Sequence, residues 1–293
     1  MCIRDRLRFG NSLTGLIGVI FGSLLALGQM PKGDLASITI IHGLSVWAFM
    51  SSWNALNDIL DIEIDKLNQP TRPLPSGRIS LNNAKMVTAA LMFISLSCLV
   101  YAGYISSTIQ GGFENWAPSI LIWILAIFLL TNYESSSNYS LKLKDRGLPG
   151  NFAISISIGM VILFGAAAVF DPLQPRVISL FFIGFSYNLA REIVKDIEDM
   201  DGDEGRNTLA MRIGVEKTRV LAWAILLLTM VAILTPFALE IFPPNHLLLL
   251  IPGLMTIFLV KRKLAYAEDR NAQKLIKRSL QLTLLGFIIS SLI

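Results

Sequence analysis

An all-α, multi-pass membrane protein is the fold class this sequence predicts, and three observations predict it. Of 293 residues, 53% are hydrophobic and only 16% charged, whereas a soluble globular chain carries about 25% charged residues. The apolar residues gather into nine stretches free of Asp, Glu, Lys and Arg. If each stretch crosses a bilayer, 23 of the 25 Lys and Arg residues fall on one side of it. The same composition excludes a disordered chain, collagen and a coiled coil.

The stretches run 9–31, 35–57, 86–113, 115–133, 147–170, 177–190, 220–239, 241–260 and 279–293. A crossing helix needs roughly 20 apolar residues. The sixth and ninth are shorter than that. The sixth is expected to continue through Arg191 and Glu192, with those charges facing a cavity, and the ninth to begin before Arg278. Pro118, Pro172, Pro175, Pro243 and Pro244 lie at or near stretch ends, where helix boundaries belong. Lys32 and Arg176 alone fall on the basic-poor side. That asymmetry puts the N-terminus and the charged loops in the cytoplasm, at the cell membrane. Met1 to Arg8 reads as a basic lead-in rather than a signal peptide, because the apolar run behind it is too long and lacks a cleavage site. Residues 1–293 are expected to form a single domain. Cys2, Cys98, His42 and His246 are too few and too scattered for a disulfide framework or a zinc site.

The acids carry the chemistry. Four of them (Asp34, Glu114, Asp171 and Glu240) fall outside, and the other 17 lie on the basic side, many in two clusters. After the second stretch comes Asn57-Asp58-Ile59-Leu60-Asp61-Ile62-Glu63-Ile64-Asp65. On a helix, Asp58, Asp61 and Asp65 point within about 60° of one another. Asn54 and Asn57 extend that polar face toward the membrane. After the sixth stretch, Asp196, Asp199 and Asp203 repeat the 0, +3, +7 spacing at a constant offset of 138 residues. Three carboxylates on one face repel one another unless a cation sits among them. Oxygen donors without His or Cys suit magnesium or calcium, and magnesium readily shares phosphate oxygens as ligands. A single acidic run is ordinarily a solvated loop. Two copies with one spacing, each at the end of a membrane stretch, argue instead for a clamp on a magnesium diphosphate.

Basic and polar groups complete the candidate site. Arg72 lies in Asn68-Gln69-Pro70-Thr71-Arg72-Pro73-Leu74-Pro75-Ser76-Gly77-Arg78, a stiff non-helical loop able to hold a guanidinium on a phosphate. Tyr139 and Lys142 share a face if their segment is helical, and would donate to the departing diphosphate. Lys144, Arg146 and Lys195 form a basic patch for an acceptor's phosphate, although Lys144 and Arg146 also fit an ordinary positive-inside loop. Asn11, polar within the first stretch, either faces the cavity or ties two helices together.

These motifs resemble the UbiA superfamily of intramembrane prenyltransferases. The resemblance rests on the nine stretches, the Asn57-Asp58-x-x-Asp61-x-x-x-Asp65 run, the Arg72-Pro73-Leu74-Pro75-Ser76-Gly77 loop and Asp196-x-x-Asp199-x-x-x-Asp203. It implies a helical bundle around a central cavity open toward the cytoplasm, with Mg²⁺ on the six aspartates holding a prenyl diphosphate. Within the superfamily, Arg191-Glu192-Ile193-Val194-Lys195-Asp196-Ile197-Glu198-Asp199 and the Lys142-Leu143-Lys144 to Gly150-Asn151 stretch are similar to the archaeal digeranylgeranylglyceryl phosphate synthases. That resemblance implies geranylgeranyl transfer onto a glycerol hydroxyl of geranylgeranylglyceryl phosphate, a lipid-phosphate acceptor. The partners implied are these lipids and the bilayer, with no nucleic acid and no obligate protein partner.

Three other readings compete for the same residues. An aromatic acceptor, as in quinone, haem O or chlorophyll pathways, keeps the fold and changes the substrate. A CDP-alcohol phosphotransferase needs glycine, alanine and arginine where this chain has Met200, Asp203 and Glu204, and is rejected. A divalent-cation transporter would place its ionisable groups near the membrane midplane rather than at helix ends on one side.

Overall fold

The structure, a computed structural model, describes residues 9–109, 111–134, 140–200 and 208–293. All regular elements among these are helical. In hydrocarbon no water is available to bond a free N–H or C=O, so an apolar chain crosses as helix. The chain forms α1 (Phe9–Leu27), α2 (Gly33–Leu60), α3 (Ile62–Asn68), α4 (Leu81–Ser107), α5 (Gly112–Trp116) and α6 (Pro118–Glu134). Then follow α7 (Leu148–Ala167), α8 (Pro175–Glu198), α9 (Leu209–Ile213), α10 (Val215–Ala238), α11 (Ile251–Ala265) and α12 (Asp269–Leu292), with 3-10 turns at Leu143–Arg146 and Pro244–Leu250.

Seven helical segments among the described residues are long and apolar enough to cross a membrane: α2, α4, α5 with α6, α7, α8, α10 and α12. The protein is a multi-pass membrane protein. The two stretches that looked short are both 24-residue helices, because α8 does run on past Arg191 and Glu192 and α12 does begin before Arg278. The shortfall lies elsewhere. The apolar part of α1 is Ser12–Leu27. The eighth stretch is divided into a 3-10 turn and the 15-residue α11. Pro252 explains that division, since it has no N–H to offer the carbonyl four residues back. The expected count of nine crossing helices is therefore not reproduced by length and composition.

Packing groups the chain into two compact units, Met1–Trp123 with Phe164–Pro172, and Ile124–Leu163 with Leu173–Ile293. In the first unit small polar residues carry the helix contacts, as in membrane proteins where burial of apolar surface gives no advantage over lipid. The hydroxyl of Ser45 donates to Ser95 O (2.9 Å) and that of Ser52 to Thr88 O (2.8 Å), joining α2 to α4. Ser23 donates to Gly165 O at 2.6 Å. A Cβ on Gly165 would meet the Val19 carbonyl at 2.1 Å, so only glycine allows that approach. His42 is fully buried. Its Nε2 accepts from the Trp116 indole N–H (2.9 Å), which leaves Nδ1–H to donate to Phe164 O (3.1 Å).

In the second unit the Tyr187 hydroxyl on α8 meets Ser279 and Thr283 on α12 at 2.8 and 2.9 Å. Ser279 in turn donates to Gly253 O on α11 at 2.7 Å. These bonds fix the three helices in register. Phe237, Phe242 and Phe287 cluster behind them. At the hairpin between α11 and α12, Lys263 and Asn271 hold the Glu268 carboxyl below its ordinary range.

Candidate active site

The first acidic set lies where α2 outruns the bilayer. At 28 residues α2 is about 42 Å long, against ~30 Å of hydrocarbon, so its last turns reach the polar zone. The helix does not continue unbroken through the set. Asp61 is a turn residue between α2 and α3, with φ −88° and ψ 10°. The 4-residue bonding persists across it, from Asp61 N–H to Asn57 O (2.9 Å) and from Asp65 N–H to Asp61 O (2.8 Å). Asp58, Asp61 and Asp65 therefore keep nearly helical spacing despite the break. Asp58 and Asp65 are buried at 8% and 6% exposure, and Asp61 is half-buried.

Arg72 compensates this set. Its guanidinium lies 2.5 Å from Asp65 Oδ2 and 3.9 Å from Asp58 Oδ1. The loop behind it is tied to itself, as its prolines predict. Ser76 N–H donates to Arg72 O (2.9 Å) and Ile79 N–H to Pro73 O (3.0 Å). Gly77 takes φ +72°, a left-handed conformation open to glycine at little cost. Arg78, quoted in the sequence motif without a role, donates to Thr71 O and Ser76 Oγ and closes the loop. Asn54 and Asn57 are half-buried on the preceding turn. The side chain of Asn11 lies outside the described residues.

The second set stands on α8. Asp196 accepts from Asn151 Nδ2 at 2.9 Å and from the Leu209 backbone N–H. Asn151 belongs to α7, and a buried relay holds it. Asn188 donates to Ser155 Oγ (3.2 Å), and Ser155 donates to Asn151 O (2.5 Å). One turn back, Glu192 is buried and pairs with Arg191 at 2.8 Å. Lys195 bridges Glu192 (3.7 Å) and Asp199 (3.8 Å), so it lies among carboxylates of its own helix. Asp199 ends α8 with its side chain half-exposed. Asp203 lies outside the described residues. Among the described residues no group of three or more His, Cys, Asp or Glu converges as a ready metal cluster. The donors present are nonetheless carboxylate and amide oxygens, the chemistry that suits magnesium.

The loop after α6 departs from the expectation. Lys142 has left-handed backbone (φ 47°, ψ 48°) ahead of the 3-10 turn, and Tyr139 lies outside the described residues. A shared helical face for the pair is therefore not formed, because Ser140 to Lys142 are not helical. Lys144 is ion-paired to Glu134 at 2.8 Å, with side-chain exposures of 18% and 8%. Sequence reasoning turned Glu192 toward a cavity without giving it a role, and gave no role to Asn151 or Glu134. Glu192 carried a signal, being an acid set in an apolar stretch. Asn151 and Glu134 carried none, since their partners lie 45 and 10 residues away.

Comparison with known proteins identifies the family of this fold. The model of the UbiA prenyltransferase family matches residues 15–285. A digeranylgeranylglyceryl phosphate synthase of Korarchaeum cryptofilum (strain OPF8) is 33% identical over 287 residues, covering 95% of this chain and 93% of the relative. A solved structure of digeranylgeranylglyceryl phosphate synthase superposes with a TM-score of 0.76 at 28% identity, covering 99% of this chain and 97% of that one. A UbiA homolog from Archaeoglobus fulgidus bound to DMAPP and Mg²⁺ shares the fold at a TM-score of 0.61 and 16% identity, with 99% of each chain covered. The chain belongs to the UbiA prenyltransferase family and is an enzyme of that kind, a membrane prenyltransferase.

Proposed function

We propose that this enzyme transfers a geranylgeranyl group from geranylgeranyl diphosphate to the glycerol hydroxyl of geranylgeranylglyceryl phosphate, forming the second ether bond of an archaeal lipid. The observation that carries this reading is the doubled 0, +3, +7 aspartate pattern at the ends of two membrane helices of a UbiA-family chain. The synthases it is similar to along nearly its whole length support the choice of acceptor. The homolog bound to DMAPP and Mg²⁺ supports the choice of metal.

Asp58, Asp61, Asp65, Asp196, Asp199 and Asp203 would hold magnesium. Bound there, the metal offsets diphosphate charge and helps the group leave as an anion. Arg72, already against Asp65 and Asp58, takes up charge that develops on the leaving oxygens. Lys142 and Tyr139 assist from the second loop. The allylic C–O bond ionises, and the apolar spans keep water from the resulting carbocation. The glycerol hydroxyl oxygen then bonds to C1 of the prenyl chain, and its proton passes to the released diphosphate. No protein nucleophile takes part. Lys144, Arg146 and Lys195 orient the acceptor phosphate, and Asn11, Asn54 and Asn57 line the polar mouth. The 23-to-2 split of basic residues supports nine crossings with the N-terminus and the charged loops in the cytoplasm.

The Lys144–Glu134 pair favours a second reading, because it reduces the positive charge left for a phosphate. In that reading an aromatic acceptor replaces the glycerol lipid. The test supplies labelled geranylgeranyl diphosphate, Mg²⁺ and each acceptor type, with product masses as readout. Asp61→Ala and Asp199→Ala are expected to lose roughly 10²–10³-fold in turnover. Near-wild-type turnover in both would remove the aspartate mechanism, and an aromatic product alone would replace the acceptor.

A further inference from the structure

The outward face of α12 carries a basic stripe that the transfer reaction does not use. Arg270, Lys274, Lys277 and Arg278 fall within about 100° of one another around the helix, and all are exposed. The buried residues Ala272, Ile276, Ser279 and Thr283 occupy the opposite side. The stripe is thus turned away from the second unit's core. Farther along the same face come Gln281 and then Leu285 and Leu292, exposed apolar residues suited to lipid.

Two of the nearby carboxylates are engaged elsewhere. Glu268 is held by Lys263 and Asn271 at 2.8 Å each. Asp269 takes both arms of Arg219, at 2.9 and 2.6 Å. Glu198 reaches Arg270 loosely at 3.8 Å. Among the described residues no carboxylate pairs with Lys274, Lys277 or Arg278.

Depth makes these cations unusual. The Ser279–Gly253 bond sets the register of the antiparallel α11–α12 hairpin. Lys277 and Arg278 therefore stand level with Leu254 and Met255 of α11, and Lys274 with Phe258. Met255, Phe258 and Leu259 are exposed, at 59%, 51% and 56%. On one helix the level is fit for hydrocarbon, and on its neighbour it carries two charges. An exposed cation at such a depth is costly unless it reaches up to, or draws down, an anionic group. Long basic side chains and phosphate headgroups meet in this way at membrane boundaries.

We propose that the outward face of α12 from Arg270 to Arg278 is a seat for the phosphate headgroup of an anionic bilayer lipid, separate from the prenyl-transfer site. The lipid's chains would lie over the apolar residues of α11 at that level, and Lys274, Lys277 and Arg278 would hold the phosphate.

The experiment uses the full chain in nanodiscs of phosphatidylcholine with phosphatidylglycerol, released into native mass spectrometry. Wild-type protein is expected to retain phosphatidylglycerol over phosphatidylcholine. The Lys274→Gln/Lys277→Gln/Arg278→Gln variant is expected to retain on the order of tenfold less. A charge-matched variant, Lys85→Gln/Arg212→Gln/Lys217→Gln, is expected to retain as much as wild type. The conservative Lys274→Arg/Lys277→Arg/Arg278→Lys variant also keeps the lipid, which separates lost charge from lost fold. Equal retention of the two lipids by wild type, equal loss in both glutamine variants, or loss in the conservative variant would overturn the proposal. So would a two-copy species that only the α12 glutamine variant abolishes, which would assign the face to a second copy of the chain.

Discussion

The two acidic sets share their spacing and differ in how their charge is met. In the first, the helix breaks at Asp61, and the neutralising cation comes from outside it, on the proline loop that carries Arg72 to Asp65 and Asp58. In the second, α8 runs unbroken to Glu198. Asp196 there is held by a neutral amide, Asn151, while Arg191 and Lys195 attend Glu192 and Asp199. The position that is Asn54 before the first set is Glu192 before the second, at the same 138-residue offset. A carboxylate paired with a loop arginine releases that arginine to an arriving anion. A carboxylate held by a neutral amide has no cation of its own to release. If both sets hold magnesium as proposed, the contrast would add phosphate handling to the first through Arg72 and leave the second to the cation alone.

Removing Arg72 should break the comparison hardest. Arg72→Ala is expected to lower kcat by roughly 10²–10³-fold, the scale of losing one charge-stabilising donor in a transition state. It leaves the buried Asp65 carboxylate without its partner, so the unfolding temperature in detergent should also fall. Arg72→Lys restores charge but not the two-pronged geometry, and should recover part of the rate. The magnesium dependence should change little in either variant. A large shift in the half-saturating magnesium concentration, with kcat preserved, would show that Arg72 serves the metal side instead.

Asn151→Leu probes the other region and should cost less, about tenfold in turnover, consistent with the loss of one buried hydrogen bond to a carboxylate. Asn151 acts through Asp196, as a positioning residue. Its signature is a rise in the magnesium needed for half-maximal rate while KM for the acceptor holds. If Asn151→Leu and Arg72→Ala gave the same kinetic pattern, the division of labour between the two sets would fail.

How much of this could be read from the sequence follows from how local each signal is. Hydropathy and charge made the membrane helices readable, and the run-on of α8 past Arg191 and Glu192 followed from its shortness. The division of the eighth stretch was less visible, because Pro252 is apolar by composition and acts only through its missing N–H. The 0, +3, +7 spacing is local, so the acids could be found. Their partners are not. Asn151 reaches Asp196 only after α7 and α8 pack side by side through Ser155 and Asn188. The helical face drawn for Tyr139 and Lys142 assumed a helix that Lys142 does not adopt. Spacing rules hold only where the regular structure they presuppose is present.

The smallest effect concerns Lys144, and it has a sign. The Lys144–Glu134 pair is mostly shielded from water, so screening does not erase it. If Lys144 serves an acceptor phosphate, Glu134 competes with that phosphate for the same ammonium. Glu134→Gln removes the competing charge and keeps a hydrogen-bonding side chain of the same shape. KM for geranylgeranylglyceryl phosphate should then fall by a few-fold, with kcat little changed. Lys144→Gln should raise KM by a similar factor, about what one charge-assisted hydrogen bond to a phosphate contributes. Opposite shifts place the lysine on the acceptor. Shifts of the same sign would mean that the pair serves only to brace the loop after α6, and the phosphate contact would pass to Arg146 and Lys195.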